Sequence, residues 1–488
     1  MKKTLIIATL VILAGVCILF ACKKAMNKPE QLSADASGKN LKLNAMTCSY
    51  VDLSGALSTQ TLVNTNIYRI NGIVTIPNNV TVTVPAGTIF YGVKSSTNPA
   101  WLVIEKGGKL IATGTSSNPI IFTSDQAPGS RAAGDWGGLA YAGNAPVNST
   151  TLGITLKSTG SPTYTLNGGG STSADNSGTL QYVQMYFAGK GDSGDDRSRA
   201  GLILNSVGSG TTIDHVQISN SLYDGFAIYG GTAKQNYLIS YNAGRTDFRI
   251  SYGYQANMQF LAAMRLNNSA VPPSPYLAYG LDITNDLTGS TNTPLTQPII
   301  SNITVLGPNH CSATTVNASF KNAIRFGLNG AGKIYNSVFS SWNSTATPSG
   351  LLIDGSGSVG QTASNNLDFS YNSFNNSGTT PYSSPSWTGG CSATMAAWIT
   401  GTGVVGCRET GNQFSVSTLG YDSSFCSDFC AAGFSQNFVL GTTTLSSPNF
   451  TWDTGSAFSH PTYRGAFGST DFTQSWTNWC AQNTSYCQ

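Results

Sequence analysis

The sequence predicts an all-β chain wound as a parallel β-helix, a solenoid, and three observations predict it. Short apolar runs end repeatedly at Gly, Pro or Asn turns, and helical periodicity is almost absent. Strand phrases recur, with Ile218-Ser-Asn and Ser240-Tyr-Asn 22 residues apart and Asp224 and Thr246 separated by the same interval. The chain holds 54 glycines and only 10% charged residues, with Ser, Thr, Asn and Gly at most polar positions, which is the composition of an extracytoplasmic β protein. A period near 22 with several short strands suits coils that return each strand directly above the last. Stacked strands lie about 4.8 Å apart, so some 10 to 13 coils would make a rod roughly 50 to 60 Å long.

The first 22 residues set location. Lys2 and Lys3 precede an apolar core from Leu5 to Phe20, closed by Leu19-Phe20-Ala21-Cys22. This resembles a bacterial lipoprotein signal, which implies a signal peptide over residues 1–21 and a diacylglycerol on the Cys22 thiol. Each buried methylene is worth about 0.8 kcal/mol, so two or more chains hold a protein on a membrane without a spanning helix. The plain alternative is a secretory signal or anchor helix with a chance cysteine, but the run is short for a span. Residues 22–46 are polar and read as a flexible tether. The expected location is the outer membrane, surface-exposed, although Lys23 and Lys24 are basic where proteins sent to the outer face often carry acids, which leaves the face open.

A formal net charge of +3 argues against a nucleic-acid partner, since phosphate recognition needs clustered Lys and Arg. Beyond Cys17 and Cys22, eight cysteines remain: Cys48, Cys311, Cys391, Cys407, Cys426, Cys430, Cys480 and Cys487. Six fall after residue 390, which predicts a disulfide-stapled C-terminal region; Cys426 with Cys430 and Cys480 with Cys487 are the simplest short-range pairs, and connectivity stays open. Zinc is the alternative, but no C-x-x-C pair is present and His460 is the only nearby histidine.

From Ile67 onward the strands follow one another. Ile67-Tyr-Arg-Ile-Asn-Gly-Ile-Val-Thr-Ile, Val80-Thr-Val-Thr-Val and Trp101-Leu-Val-Ile-Glu open the helix. Gly201-Leu-Ile-Leu-Asn, Ile213-Asp-His-Val-Gln-Ile-Ser-Asn, Asp224-Gly-Phe-Ala-Ile-Tyr, Tyr237-Leu-Ile-Ser-Tyr-Asn and Thr246-Asp-Phe-Arg-Ile-Ser form its repeating middle. Asn322-Ala-Ile-Arg-Phe, Lys333-Ile-Tyr-Asn-Ser-Val-Phe and Gly350-Leu-Leu-Ile-Asp continue it, and Asp368-Phe-Ser-Tyr-Asn-Ser-Phe echoes Tyr335-Asn-Ser-Val-Phe. That echo places Asn336 and Asn372 at equivalent corners, where stacked amides would bond in a ladder. The β-helix is assigned to residues 47–380, and residues 381–488 to a Cys-rich region that caps or continues it.

Ile104-Glu-Lys-Gly-Gly-Lys-Leu-Ile-Ala-Thr-Gly-Thr, Pro119-Ile-Ile-Phe-Thr-Ser and Gly129-Ser-Arg-Ala-Ala-Gly-Asp-Trp-Gly-Gly-Leu resemble a family of right-handed β-helix lipoproteins of the Bacteroidota type, pectin-lyase-like in fold. Tyr223-Asp-Gly-Phe-Ala-Ile-Tyr-Gly-Gly, Tyr463-Arg-Gly-Ala-Phe-Gly and Trp476-Thr-Asn-Trp are similar to it too. The resemblance implies the right hand of the helix and an envelope location, and brings no activity. Such proteins usually carry an acidic run after the coil that ends near Asn242. Here Asp247 stands between Arg245 and Arg249, which favours an ion pair over Ca²⁺.

The densest charged stretch is Lys190-Gly-Asp-Ser-Gly-Asp-Asp-Arg-Ser-Arg. Asp192, Asp195 and Asp196 offer hard oxygens for Ca²⁺, and Arg197 and Arg199 suit an acidic glycan, although adjacent acids and bases also neutralise one another. Parallel β-helices host lyases and hydrolases, so Asp214 with His215, Asp224 and Asp247 are candidate catalytic groups by fold analogy. Tyr223, Tyr229, Tyr241, Tyr252 and Tyr254 are candidate sugar platforms, and Trp476 and Trp479 are expected to cap the last coil. The favoured reading is a non-enzymatic structural, adhesive or glycan-binding protein of the envelope, with carbohydrate or another envelope protein as partner and no required cofactor. The competing reading is a polysaccharide lyase or glycoside hydrolase.

Overall fold

The computed structural model describes residues 48–486 apart from 159–161, 266–274, 310–315, 343–349, 376–379, 408, 415, 417–418, 420–437, 439–444 and 446. The lipidation candidate Cys22, the signal and the tether lie outside these residues, as do Cys311, Cys426, Cys430 and Cys487.

A right-handed parallel β-helix is formed by one continuous 25-stranded sheet, bent at its corners into three sides. Its core is built from columns of like residues, because parallel in-register stacking sets each side chain directly over its predecessor. On side 1 one inward column runs Val51, Tyr68, Phe90, Phe122, Met185, Ile218, Ser240, Ala263, Val305, Phe339 and Phe374. That is one residue from each of eleven coils. Phe90 and Phe122 stack at 4.4 Å, so the column gains ring contact as well as burial. The ladder closes at Tyr382–Ser383, paired with Leu351 and Leu352.

The 22-residue period is real only in the middle coils. Val216, Leu238 and Leu261 stack in succession, but the next residue in that column is Ile303, 42 positions on, because more chain separates the strands of the intervening coil. Loops at corners lengthen freely while the strands keep register.

From Tyr182 onward, the corner between sides 3 and 1 is turned on each of seven coils by a single left-handed residue. Tyr182, His215, Tyr237, Phe260, Asn302, Asn336 and Tyr371 occupy it with φ between 51° and 60°. No β-branched residue stands there, as the steric cost of that region demands. The strain is offset by stacking: Tyr182 on His215 at 4.4 Å, His215 on Tyr237 at 4.3 Å and Tyr237 on Phe260 at 4.9 Å. Asn336 therefore shares its corner with Asn302 and Tyr371, while Asn372 aligns with Ser337 and corrects the expected Asn336–Asn372 pairing. The two corner amides also do not bond each other.

They hold the C-terminal segment instead. Asn336 exchanges bonds with the backbone of Asn449, and Asn302 donates to the carbonyls of Tyr463 and Gly465. Gln259 pairs with Ser459, Gln217 with Asn478, and Arg131, far down the rod, donates to the carbonyls of Ala481 and Thr484. The segment thus runs back along side 1 as a strap. Its Trp476 and Trp479 pack against Tyr182 and Tyr241 and do not cap the last coil as expected. The reason is visible in the outward column of side 1: Ile239, Ala262 and Val338 are apolar and need cover.

The Gly-Asp-Trp-Gly-Gly stretch is a packing lock. Trp136 is fully buried and donates to the Tyr186 carbonyl at 2.8 Å. A Cβ on Gly92 would stand 2.4 Å from the Trp136 ring, and one on Gly137 would stand 2.3 Å from Trp101, so both positions must be glycine. Asp135 is tied to Ser124 and to Lys94. The C-terminal region carries the disulfide Cys391–Cys407, while Cys48 and Cys480 are each disulfide-bonded as well.

Candidate functional site

Two of the three sides are accounted for by their covers and their polarity. Side 1 lies under the strap beyond its first coils, where Asp52 and Arg69 pair in the open, and side 3 presents an uncharged column of Thr61, Thr83, Ile111, Thr179 and Thr212. Side 2 divides. Its first coils are covered by the antiparallel hairpin Leu152–Lys157 and Tyr164–Gly168, packed on Trp101, Ala140, Ile203 and Ala227. Beyond the hairpin the same outward column turns charged, with Arg249, Asp282 and Arg325 on successive coils.

This open stretch forms a groove of about 250 Å³ walled by Asp196, Arg245, Arg249, Tyr276, Tyr279, Asp282 and Arg325. Its charges are cross-linked between coils. Arg245 grips Asp224 through Nε and Nη2, both at 2.6 Å, and reaches Asp196 with Nη1 at 2.6 Å. Arg249 donates to the other Asp196 oxygen at 2.7 Å. Arg325 bridges Asp282 at 2.9 Å and Asp354 at 2.8 Å. Burial alone would raise the Asp196 carboxyl, but the Arg249 and Arg245 guanidiniums outweigh it and bring its pKa down to about 2. Tyr276 and Tyr223 meet edge to face at 5.5 Å, with Arg199 4.9 Å from each ring centre and Arg245 5.1 Å from that of Tyr276. The groove therefore offers fixed guanidinium forks, anchored carboxylates and tyrosine faces.

Of the five residues singled out between 192 and 199, two contribute to this groove. Asp196 lines it, and Arg199 stacks on its tyrosines. Asp195 is spent on Arg197 and on the Thr155 amide, which fastens the hairpin. Asp192 accepts from the amide and hydroxyl of Ser158 and from the Gly194 amide. The three carboxylates thus serve different partners, and no group of three or more His, Cys, Asp or Glu among the described residues is arranged to hold a metal ion.

The other candidates separate. Asp224 sits beneath the groove, but Asp247 faces the interior, held by Ser240 at 2.7 Å and by Arg265, and does not pair with Arg245 or Arg249 as its neighbours in sequence suggest. The Asp224–Arg245 and Asp247–Arg265 pairs form between stacked coils, about 4.8 Å apart, rather than between neighbours in sequence. Burial pushes the Asp247 pKa up to about 6 despite Arg265. Asp214 bonds His215, whose ring lies inside the corner stack of Tyr182 and Tyr237. Tyr229, Tyr241, Tyr252 and Tyr254 are buried and present no sugar platform; they fill corners because the ring is the apolar part of the side chain.

One carboxyl pair lies elsewhere. Glu409 hydrogen-bonds Asp368, and Ser370 Oγ stands 2.6 Å from Glu409 Oε2 and 3.1 Å from Asp368 Oδ1. Burial, then Asp368, pushes the Glu409 carboxyl well above its usual range. Hydrolysis requires two carboxyls roughly 5 to 10 Å apart with a sugar between them, and these two touch.

The sequence reading missed Tyr276, Tyr279, Asp282 and Arg325. Phe248-Arg-Ile, Leu281-Asp-Ile and Ile324-Arg-Phe are the available signal, each a charge between two inward apolar residues. The family described as "pectate-lyase like beta helix domain" matches residues 55–404. No curated protein and no solved structure matches the chain.

Proposed function

Because the chain belongs to the pectate-lyase-like β-helix domain family, we propose that it is a cell-envelope protein that binds a glycan in the open groove of side 2 without cleaving it. The observation that carries this reading is that the carboxylates of the groove are engaged by arginines: Asp196 by Arg245 and Arg249, Asp282 by Arg325. A hydrolase needs a carboxylic acid that keeps its proton near neutral pH, whereas Asp196 is held ionised. Guanidinium forks and tyrosine faces instead suit sugar hydroxyls, carboxylates and ring faces. The groove is smaller than the ~300–1,000 Å³ of an enclosing pocket, as fits a chain lying across a surface. A lipid on Cys22 would tether this rod to the outer membrane, with the strap and the disulfide bracing it for an adhesive or structural task.

The test is a glycan array run beside a depolymerisation assay, with wild type and Arg249→Ala. Retention of a glycan without release of shorter products, weakened at least tenfold by the substitution, is the expected result. Release of unsaturated or reducing-end products would establish the lyase or hydrolase reading. For the anchor, Cys22→Ser is expected to move the protein from the membrane fraction to the soluble one; retention in the membrane would refute lipidation.

A further inference from the structure

A second cavity is walled in part by the start of the 190–199 loop and shares no lining residue with the groove. It measures about 190 Å³, and its wall includes Ser96, Thr97, Lys157, Lys190, Asp192 and Ser193. Lys157 ends the first strand of the covering hairpin, and only 8% of it is exposed. Its ammonium donates to Asn98 Oδ1 at 3.0 Å, while Lys190 donates to the Ser95 carbonyl at 2.7 Å. An ammonium carries three donors, and both partners are neutral. Neither lysine forms an ion pair with any described carboxylate, in contrast to Arg197, Arg245, Arg249, Arg265 and Arg325. Asp192, the one acid among the described residues of the wall, is committed to Ser158 and Gly194. A cation withdrawn from water on neutral partners alone is costly, and an anion in the cavity would relieve that cost.

We propose that this cavity binds a tetrahedral oxyanion, the chemistry of a sulfate or phosphate group carried by a larger molecule. The donor set selects this class. Compact ammoniums and the hydroxyls of Ser96, Thr97 and Ser193 accommodate oxygens from several directions, whereas a planar carboxylate is best met by an arginine fork. Occupancy ties Lys157 of the hairpin to Lys190 of the loop, so the ligand fastens the cover of side 2 beside the groove. The site is independent of what the groove binds.

Thermal unfolding and calorimetric titration with inorganic sulfate, inorganic phosphate and acetate at matched ionic strength test it. Wild type and Lys109→Ala, which removes one charge from side 3, are expected to bind sulfate or phosphate saturably and to gain stability by mass action. Lys190→Ala and Lys157→Met are expected to bind at least tenfold more weakly, and acetate to bind no better than chloride. Lys190 is less buried, so its variant keeps the test alive if Lys157→Met does not fold. An unchanged response in Lys190→Ala, acetate binding equal to that of sulfate, or no saturable binding of either tetrahedral anion would overturn the proposal.

Discussion

The outward column of side 2 is Ala140, Ile203 and Ala227 beneath the hairpin and Arg249, Asp282 and Arg325 beyond it. The backbone is the same in both halves, as are the inward neighbours, with Phe226 and Phe248 stacked at 5.0 Å across the boundary. What differs is the cover. A position roofed by apolar strands takes an apolar residue, whereas an unroofed one carries charge and finds an opposite charge nearby: Arg249 pairs with Asp196, and Arg325 with Asp282 and Asp354. The helix is a neutral scaffold whose outer chemistry is set coil by coil by what lies upon it.

Exchanging the two halves is the strongest way to break that comparison. Ala227→Asp places a carboxylate under the hairpin, where Ala227 is fully buried, and is expected to cost at least ~3 kcal/mol or to prevent folding. Asp282→Ala in the open half should cost about 1 kcal/mol, since Arg325 keeps Asp354. Chemical denaturation of both variants measures the contrast; equal losses would refute the role given to the cover. The strap on side 1 is expected to behave like the hairpin. Phe467→Ala, in the strap itself and fully buried, should lose about 3–5 kcal/mol in the same measurement, and a loss under 1 kcal/mol would show that the strap is not packed.

Reducing Cys391–Cys407, which closes a 16-residue separation, should lower stability by about 3 kcal/mol in the chain-entropy account. An unchanged denaturation midpoint after Cys391→Ser with Cys407→Ser would contradict it.

A smaller effect comes from Glu409, whose carboxyl is raised in the folded chain. The folded pKa exceeds the unfolded one, so its stabilising contribution is complete below the unfolded value of about 4.3 and is lost as pH climbs through the folded value. Glu409→Gln is expected to flatten the fall in stability on the alkaline side. Parallel pH profiles for variant and wild type would exclude this assignment.

The same contrast explains what the sequence made legible. Inward columns read clearly, because phrases such as Gly201-Leu-Ile-Leu-Asn and Asp224-Gly-Phe-Ala-Ile-Tyr alternate under a constraint that every coil shares. The 22-residue period was legible where coils are short and vanished where Leu261 must wait for Ile303. The groove was half legible. Asp196 and Arg199 stood out in a dense charged run, while Asp282 and Arg325 are charges set between apolar neighbours in their strands, brought to Arg249 only by stacking. The strap was illegible, since its bonds join Arg131 to Thr484 and Gln217 to Asn478 across hundreds of residues with no local pattern. Asp247 misled for a related reason: its partner Arg265 lies on the next coil, not beside it in sequence.

The central claim is that the open half of side 2 is where a ligand sits. Hydrogen exchange of the protein with and without a glycan retained on the array tests it most directly. Protection is expected in Phe248–Ser251, Ala278–Thr284 and Phe320–Gly327, and is expected to disappear in Arg249→Ala. Protection confined to side 3, in Thr81–Val84 or Lys109–Thr113, would contradict the account.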